Sequence, residues 1–157
     1  MDRVLGILKP AVLATQSLVL RVTRGVTFGV RGLVCDGERV LLVRHSYVPG
    51  WYLPGGAVEP GETALVSLGR ELDEEAAVAI DGEARLHGLF FNERMARRDH
   101  VAVYHVPSWR ALRPFVPNRE IREARVFPVD ALPADSTDAT RRRVAELVAG
   151  APISPLW

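Results

Sequence analysis

Glu71, Glu74 and Glu75 lie three and four residues apart, in a stretch where Leu65, Leu68, Leu72 and Ala76 recur at helical spacing. On a helix of about 3.6 residues per turn the three carboxylates fall within about 100° of arc, roughly 110° from the apolar stripe. One face would bury leucine and the neighbouring face would gather negative charge. Like charges at this spacing repel. The cluster is therefore either a solvated acidic face or a seat for a cation. Its position favours the cation. The three glutamates stand in the C-terminal half of the helix, where the dipole disfavours anions. Hard oxygen donors suit Mg²⁺ or Mn²⁺ rather than zinc, and the sequence around them has no Cys/His ligand set.

The elements that must position these side chains can be read from the pattern. Arg21 to Cys35 reads as extended chain, Asp36-Gly37 as a tight turn, and Val40 to Val43 as a second strand, together a β-hairpin. Tyr47 to Gly61 holds Pro49, Gly50, Pro54, Gly55, Gly56, Pro60 and Gly61, a loop long enough to suggest a functional use. A helix is expected from Thr63 to about Ala77. Strands are expected over Arg85 to Phe91 and His100 to Val106, joined by the polar turn Asn92 to Asp99. Pro107 to Pro117 reads as a loop and Glu123 to Val129 as a last strand. Ser136 or Thr137 would cap a final helix stopping at Gly150, followed by a tail packed by Trp157. The order predicts a mixed α/β domain, with neither a dinucleotide-type glycine pattern nor a P-loop lysine.

The stretch reads Gly56, five residues, Glu62, seven residues, then Arg70-Glu71-Leu72-Asp73-Glu74-Glu75-Ala76-Ala77-Val78. It resembles the Nudix box, Gly-x5-Glu-x7-Arg-Glu-U-x-Glu-Glu-x-Gly-U, where U is a bulky aliphatic residue. The lead-in Trp51-Tyr52-Leu53-Pro54-Gly55-Gly56 also looks like that family's. The resemblance covers about residues 22 to 149 and implies an α/β/α sandwich around a mixed β-sheet. It also implies hydrolysis, with Mg²⁺ or Mn²⁺, of a pyrophosphate bond in a nucleoside diphosphate linked to another moiety X. One position departs. Ala77 stands where the family has glycine, which would leave the helix in a left-handed conformation. Alanine held there would cost about 1 kcal/mol, so the helix is expected to end differently.

By the same resemblance, Glu71, Glu74 and Glu75 would ligate the metal. Arg70 would orient a carboxylate, Glu62 would help to position the metal-binding glutamates, and Gly55 and Gly56 would let the loop backbone come close. The general base would be Glu71, or Glu120 or Glu123 from a later segment. For substrate contact, Arg44 and the basic turn Asn92, Arg94, Arg97 and Arg98 are candidates for phosphate, and Trp51 and Tyr47 for stacking on a base. Each of these has an ordinary alternative as packing or a solvated surface. His100 and His105 read as sheet residues. The features associated with ADP-ribose or dinucleoside polyphosphate cleavage, a proline or a tyrosine past the box, are missing near Asn92-Glu93-Arg94-Met95.

Length and composition bound the rest. A chain of 157 residues fits one core, and a net charge of +1 gives no sign of a nucleic-acid partner. The basic run Arg141-Arg142-Arg143 is expected on a solvated helix face. The lone Cys35 cannot form an internal disulfide and reads as a small buried hydrophobe. Residues 1–21 are expected to be an amphipathic extension packed on the 22–157 domain, too interrupted by Lys9-Pro10 and Gln16-Ser17 to span a membrane. No membrane partner is expected, the cytoplasm is the default location, and the extension could serve a homodimer interface. The rival function is a Nudix-fold nucleotide-binding or regulatory module without catalysis. Such modules typically lose box glutamates, and here all are present.

Overall fold

A computed structural model describes residues 26–93 and 98–157. The expected extension 1–21, and Arg94 and Arg97 of the basic turn, lie outside the described residues. In chain order the elements are β1 (Thr27–Val34), β2 (Arg39–His45), α1 (Ala64–Ala76), β3 (Val78–Ile80), β4 (Arg85–Phe91), β5 (Asp99–Val106), β6 (Trp109–Ala111), β7 (Ile121–Pro128) and α2 (Asp138–Val148). β1 pairs parallel with β5, and β5 antiparallel with β4. β2 pairs antiparallel with β7, and β3 with β6.

β1 explains the layering. Val30 and Val34 belong to the cluster that includes Leu68 and Leu72 of α1. Leu33 and Cys35 belong to the cluster that includes Phe90 and Val144 of α2. A strand apolar on both faces must be covered on both, and among the described residues a helix packs on each side of a mixed sheet, as an α/β/α sandwich. Each fully buried Leu or Val contributes roughly 1.5–3 kcal/mol. Gly32 keeps α1 close: a Cβ there would lie 3.2 Å from a methyl carbon of Leu68.

Several expectations change. The Asp36-Gly37 turn exists, but it does not close a hairpin. Beyond a single Cys35–Val40 bridge, β1 and β2 part to different partners, because each finds a longer ladder elsewhere. The Pro107 to Pro117 segment is not all loop, since β6 pairs with β3 there. α1 does bury Leu68, Leu72 and Ala76, but Leu65 is exposed, while Ser67 is buried where it donates to Glu62. Arg143 is not solvated; it is wholly buried. The tail does pack through Trp157, whose ring lies 6.2 Å from that of Phe90.

α1 starts where Thr63 accepts a hydrogen bond from Val66 N–H. It ends as the glycine-bearing pattern would, contrary to expectation: Ala77 sits in the left-handed region with φ 55° and ψ 37°. Three contacts hold it there. Its N–H bonds Asp73 O, its carbonyl accepts from Leu112 N–H at 2.8 Å, and Arg113 donates to Asp73 O at 3.1 Å. Ala77→Gly relieves the Cβ clash and should raise the unfolding free energy by about 1 kcal/mol. Urea denaturation would show a higher midpoint at unchanged slope; an unchanged midpoint would mean that the turn carries no strain.

Candidate active site

The loop before α1 is held against β1 by backbone hydrogen bonds. Gly32 N–H donates to Pro54 O and Val30 N–H to Gly56 O, both at 2.8 Å, and Val58 N–H to Phe28 O at 2.9 Å. The approach is too close for side chains. At Gly55, with φ 136°, a Cβ would lie 2.2 Å from Val30 O; at Gly56 it would lie 2.5 Å from a carboxylate oxygen of Glu71. The two glycines thus press the loop onto the strand and onto the acidic helix at once.

Arg70 organises the carboxylates. Its Nη1 donates to Glu71 at 2.8 Å and reaches Glu74 at 3.4 Å, while Nε and Nη2 clasp both oxygens of Glu62 at 3.3 and 3.2 Å. Ser67 also donates to Glu62. The Arg70 guanidinium, then the Ser67 hydroxyl, hold the Glu62 carboxyl below its usual range, and Glu62 and Glu71 in turn raise the pKa of Arg70.

Glu75 is the contrast. It is 6% exposed, and its Oε2 accepts Gly55 N–H at 2.7 Å. Burial pushes its carboxyl up from 4.5 to about 7; the Gly55 N–H and Arg31 oppose this, and Glu71 and Glu120 add to it. A cleft of about 370 Å³ opens beside it, lined by Glu71, Glu74, Glu75, Asn118 and Glu120 among others. Asn118 shapes the far wall: its Oδ1 accepts from Glu120 and Ile121 N–H at 2.9 and 2.8 Å, and its Nδ2 reaches Glu74 O at 3.4 Å.

Side chains as they stand form no ready metal cage. Among the described residues no three of His, Cys, Asp or Glu group closely enough to hold an ion; the cation among Glu62, Glu71 and Glu74 is Arg70. The donor chemistry fits a hard divalent ion nonetheless. All the candidate ligands are carboxylate oxygens, and Glu75 is buried with a backbone N–H rather than a cation bonded to it.

The cleft brings together Glu71, Glu74, Glu75 and Glu120 of the residues singled out from sequence, with Glu62 and Arg70 behind them. It leaves out others. Arg44 pairs with Asp135 at 2.6 Å and lies 4.8 Å over the Trp51 ring. Trp51 is 4% exposed and packs edge-on against Phe127, so its faces are not open to a base. Glu123 is occupied by Arg44 and Arg125. Asn92 donates to Asp99, His105 bonds Cys35 O, and Tyr47 contacts His45. Sequence reasoning missed Arg31, which donates to Gly55 O and whose charge acts on both Glu75 and His45. A lone charge in an apolar strand was the available signal. Asn118 offered none, because its role depends on loop geometry.

Comparison with known proteins identifies the family and the fold. Residues 24–148 match the NUDIX domain model. An uncharacterized Nudix hydrolase of Pseudomonas aeruginosa is 36% identical over 126 residues, 79% of this chain and 72% of its own. A putative 8-oxo-dGTP diphosphatase of Bacillus subtilis is 48% identical over 66 residues, 42% of this chain and 44% of its own. The fold is shared with the crystal structure of a MutT NUDIX hydrolase from Burkholderia pseudomallei. That likeness has a TM-score of 0.63 at 24% identity and covers 77% of this chain and 97% of that one. The family model, with relatives named as diphosphatases and pyrophosphohydrolases, supports a pyrophosphohydrolase, a hydrolase of phosphorus-containing acid anhydrides. The chain belongs to the Nudix family.

The raised Glu75 carboxyl has a thermodynamic consequence. Folding raises its pKa, so in the metal-free protein its contribution to stability is full below about pH 4.5 and is lost as pH rises through about 7. Glu75→Gln removes that loss. Urea midpoints should diverge in favour of the variant between about pH 5 and pH 8. A constant difference across that range would show that Glu75 does not titrate there.

Proposed function

We propose that the protein hydrolyses the pyrophosphate bond of a nucleoside diphosphate linked to another moiety X, with Mg²⁺ or Mn²⁺ as cofactor. The observation that supports this best is the acidic cleft in which Glu71, Glu74 and Glu75 share walls with Glu120. Glu71, Glu74 and Glu75 would hold the divalent ion, which when bound neutralises phosphate charge and lowers the pKa of water. Arg70 fixes the rotamers of Glu62 and Glu71. Glu120, held by the Asn118 turn, is the group we assign to take a proton from the attacking water at a carboxylate oxygen. Water bonds to one phosphorus, the bridging P–O bond breaks, and the second phosphate leaves with that oxygen.

The rest of the substrate has room on the other side of the Gly55-Gly56 turn. A cavity of about 420 Å³ there is lined by Phe28, Arg31, Gly56, Asn92, Asp99 and Trp157, among others. Aromatic faces, an amide and a carboxylate suit a planar heterocycle carrying hydrogen-bond donors. The name of the Bacillus subtilis relative puts oxidised nucleoside triphosphates on the list to assay.

The test is a panel of nucleoside di- and triphosphates, oxidised ones included, nucleotide sugars and dinucleotides, assayed for phosphate-containing products with Mg²⁺ or Mn²⁺. Metal-dependent turnover of at least one is expected. Glu74→Gln should abolish it while sparing ligand binding, and Glu120→Gln should lower kcat by about 100-fold or more. Binding without turnover across the panel would favour a non-catalytic module instead. Full activity of Glu120→Gln would return the proton to a box glutamate.

A further inference from the structure

A buried charged cluster lies outside the acidic cleft. Arg143 is 0% exposed and donates to Glu146 Oε1 at 2.7 Å, with its guanidinium 3.7 Å over the Phe90 ring. The other Glu146 oxygen lies 3.0 Å from His87 Nε2. His87 reaches it because the β4–β5 register slips between Leu86 and Gly88; an extra residue in a strand re-aims its side chain. Gly88 then leaves room for Phe90, whose ring carbon would lie 2.6 Å from a Cβ at that position.

Stability does not account for such a cluster. Buried ion pairs lose most of their attraction to desolvation, and apolar side chains of similar volume often serve as well. The cluster does supply direction. Glu146 Oε1 also accepts Ser154 N–H at 3.0 Å, which starts a run of contacts along the segment 151–157. Phe91 N–H donates to Pro155 O and Trp157 N–H to Phe91 O, both at 2.9 Å. The run ends with Trp157 in the wall of the 420 Å³ cavity beside Gly56.

We infer that Glu146 is a positioning residue. Joined to Arg143 and His87, it sets the segment 151–157 in register so that Trp157 forms a wall for the planar group of the substrate. The inference rests on the reading of that cavity as the site for this group. Trp157 then governs affinity and choice of base, and takes no part in the chemistry at phosphorus.

The protein carries three tryptophans, so 5-fluorotryptophan labelling gives three ¹⁹F lines, with that of Trp157 assigned by Trp157→Phe. Titration with AMP, GMP, CMP and UMP should shift the Trp157 line saturably for at least one of them. With the best substrate of the panel, Trp157→Ala should raise KM about ten-fold or more, the scale of base stacking on an aromatic ring. Its kcat should stay within about two-fold, as expected for lost ground-state binding. Glu146→Leu should weaken nucleotide binding and raise KM in the same direction, and Trp157→Phe should restore most of the affinity. Should Glu146→Leu fail to fold, Trp157→Ala and Glu146→Gln decide the matter. An unmoved Trp157 line with unchanged KM in Trp157→Ala overturns the inference and leaves the hydrolase reading intact. Loss of kcat at unchanged KM overturns it also. A nucleotide-dependent Trp157 shift in a protein that turns over nothing on the panel supports the inference and sinks the hydrolase reading.

Discussion

The hydrogen bond from Gly55 N–H to the buried carboxylate of Glu75 is the constraint on which the site depends. It joins the glycine loop to the acidic helix where neither partner has an ordinary environment. Glu75 is desolvated, so its charge is costly and calls for compensation. Gly55 lies so close to β1 that no side chain fits. The loop is pinned to β1, β1 lies in the mixed sheet, and α1 is packed on that sheet by Leu68 and Leu72. The positions of Glu71 and Glu74 follow from those of Glu75 and Gly55.

Charge is handled differently on the two sides of this bond. Toward solvent, Arg70 gathers Glu62, Glu71 and Glu74 and satisfies them with one delocalised cation. Toward the interior, Glu75 has one N–H bonded to it, Arg31 as the nearby positive charge, and Glu71 and Glu120 opposing its ionisation. Its carboxyl, raised to about 7, is near balance between its two forms at neutral pH, and a divalent ion held by the cleft's hard oxygen donors would favour the charged one. That asymmetry is the electrostatic core of the proposed chemistry.

Helix ends, loops and tail divide the remaining work. Ala77 takes a left-handed turn that glycine would take more easily, and Arg113 and the Leu112 N–H hold it there. The segment that follows β6 carries Asn118 and Glu120 back across the end of α1. At the opposite side of the sheet, α2 uses Arg143 and Glu146 to hold the tail. Each device fixes a direction rather than adding much burial, and the first two are made by residues far apart in the chain.

The acidic helix was legible because its chemistry is local. A 3.6-residue period and fixed spacing from Gly56 to Val78 carry the box in one continuous segment, and the match to a known family supplied the reaction class. Whole-strand pairing was less legible. Asp36-Gly37 marks a turn correctly, yet which ladder each flanking strand joins is settled by distant β5 and β7. Surface rules misread Arg143 and Leu65, since a basic run and a leucine at helical spacing say nothing of what stands opposite them. Sequence offers Trp51 as a stacking surface, yet Phe127 packs against it and it is 4% exposed; Arg44, offered as a phosphate contact, pairs with Asp135. The residues of the box and their order are a property of the chain alone. Which carboxylate is desolvated, which arginine is buried and which tryptophan walls the second cavity depend on long-range packing, because burial and electrostatic environment arise only when separate segments meet.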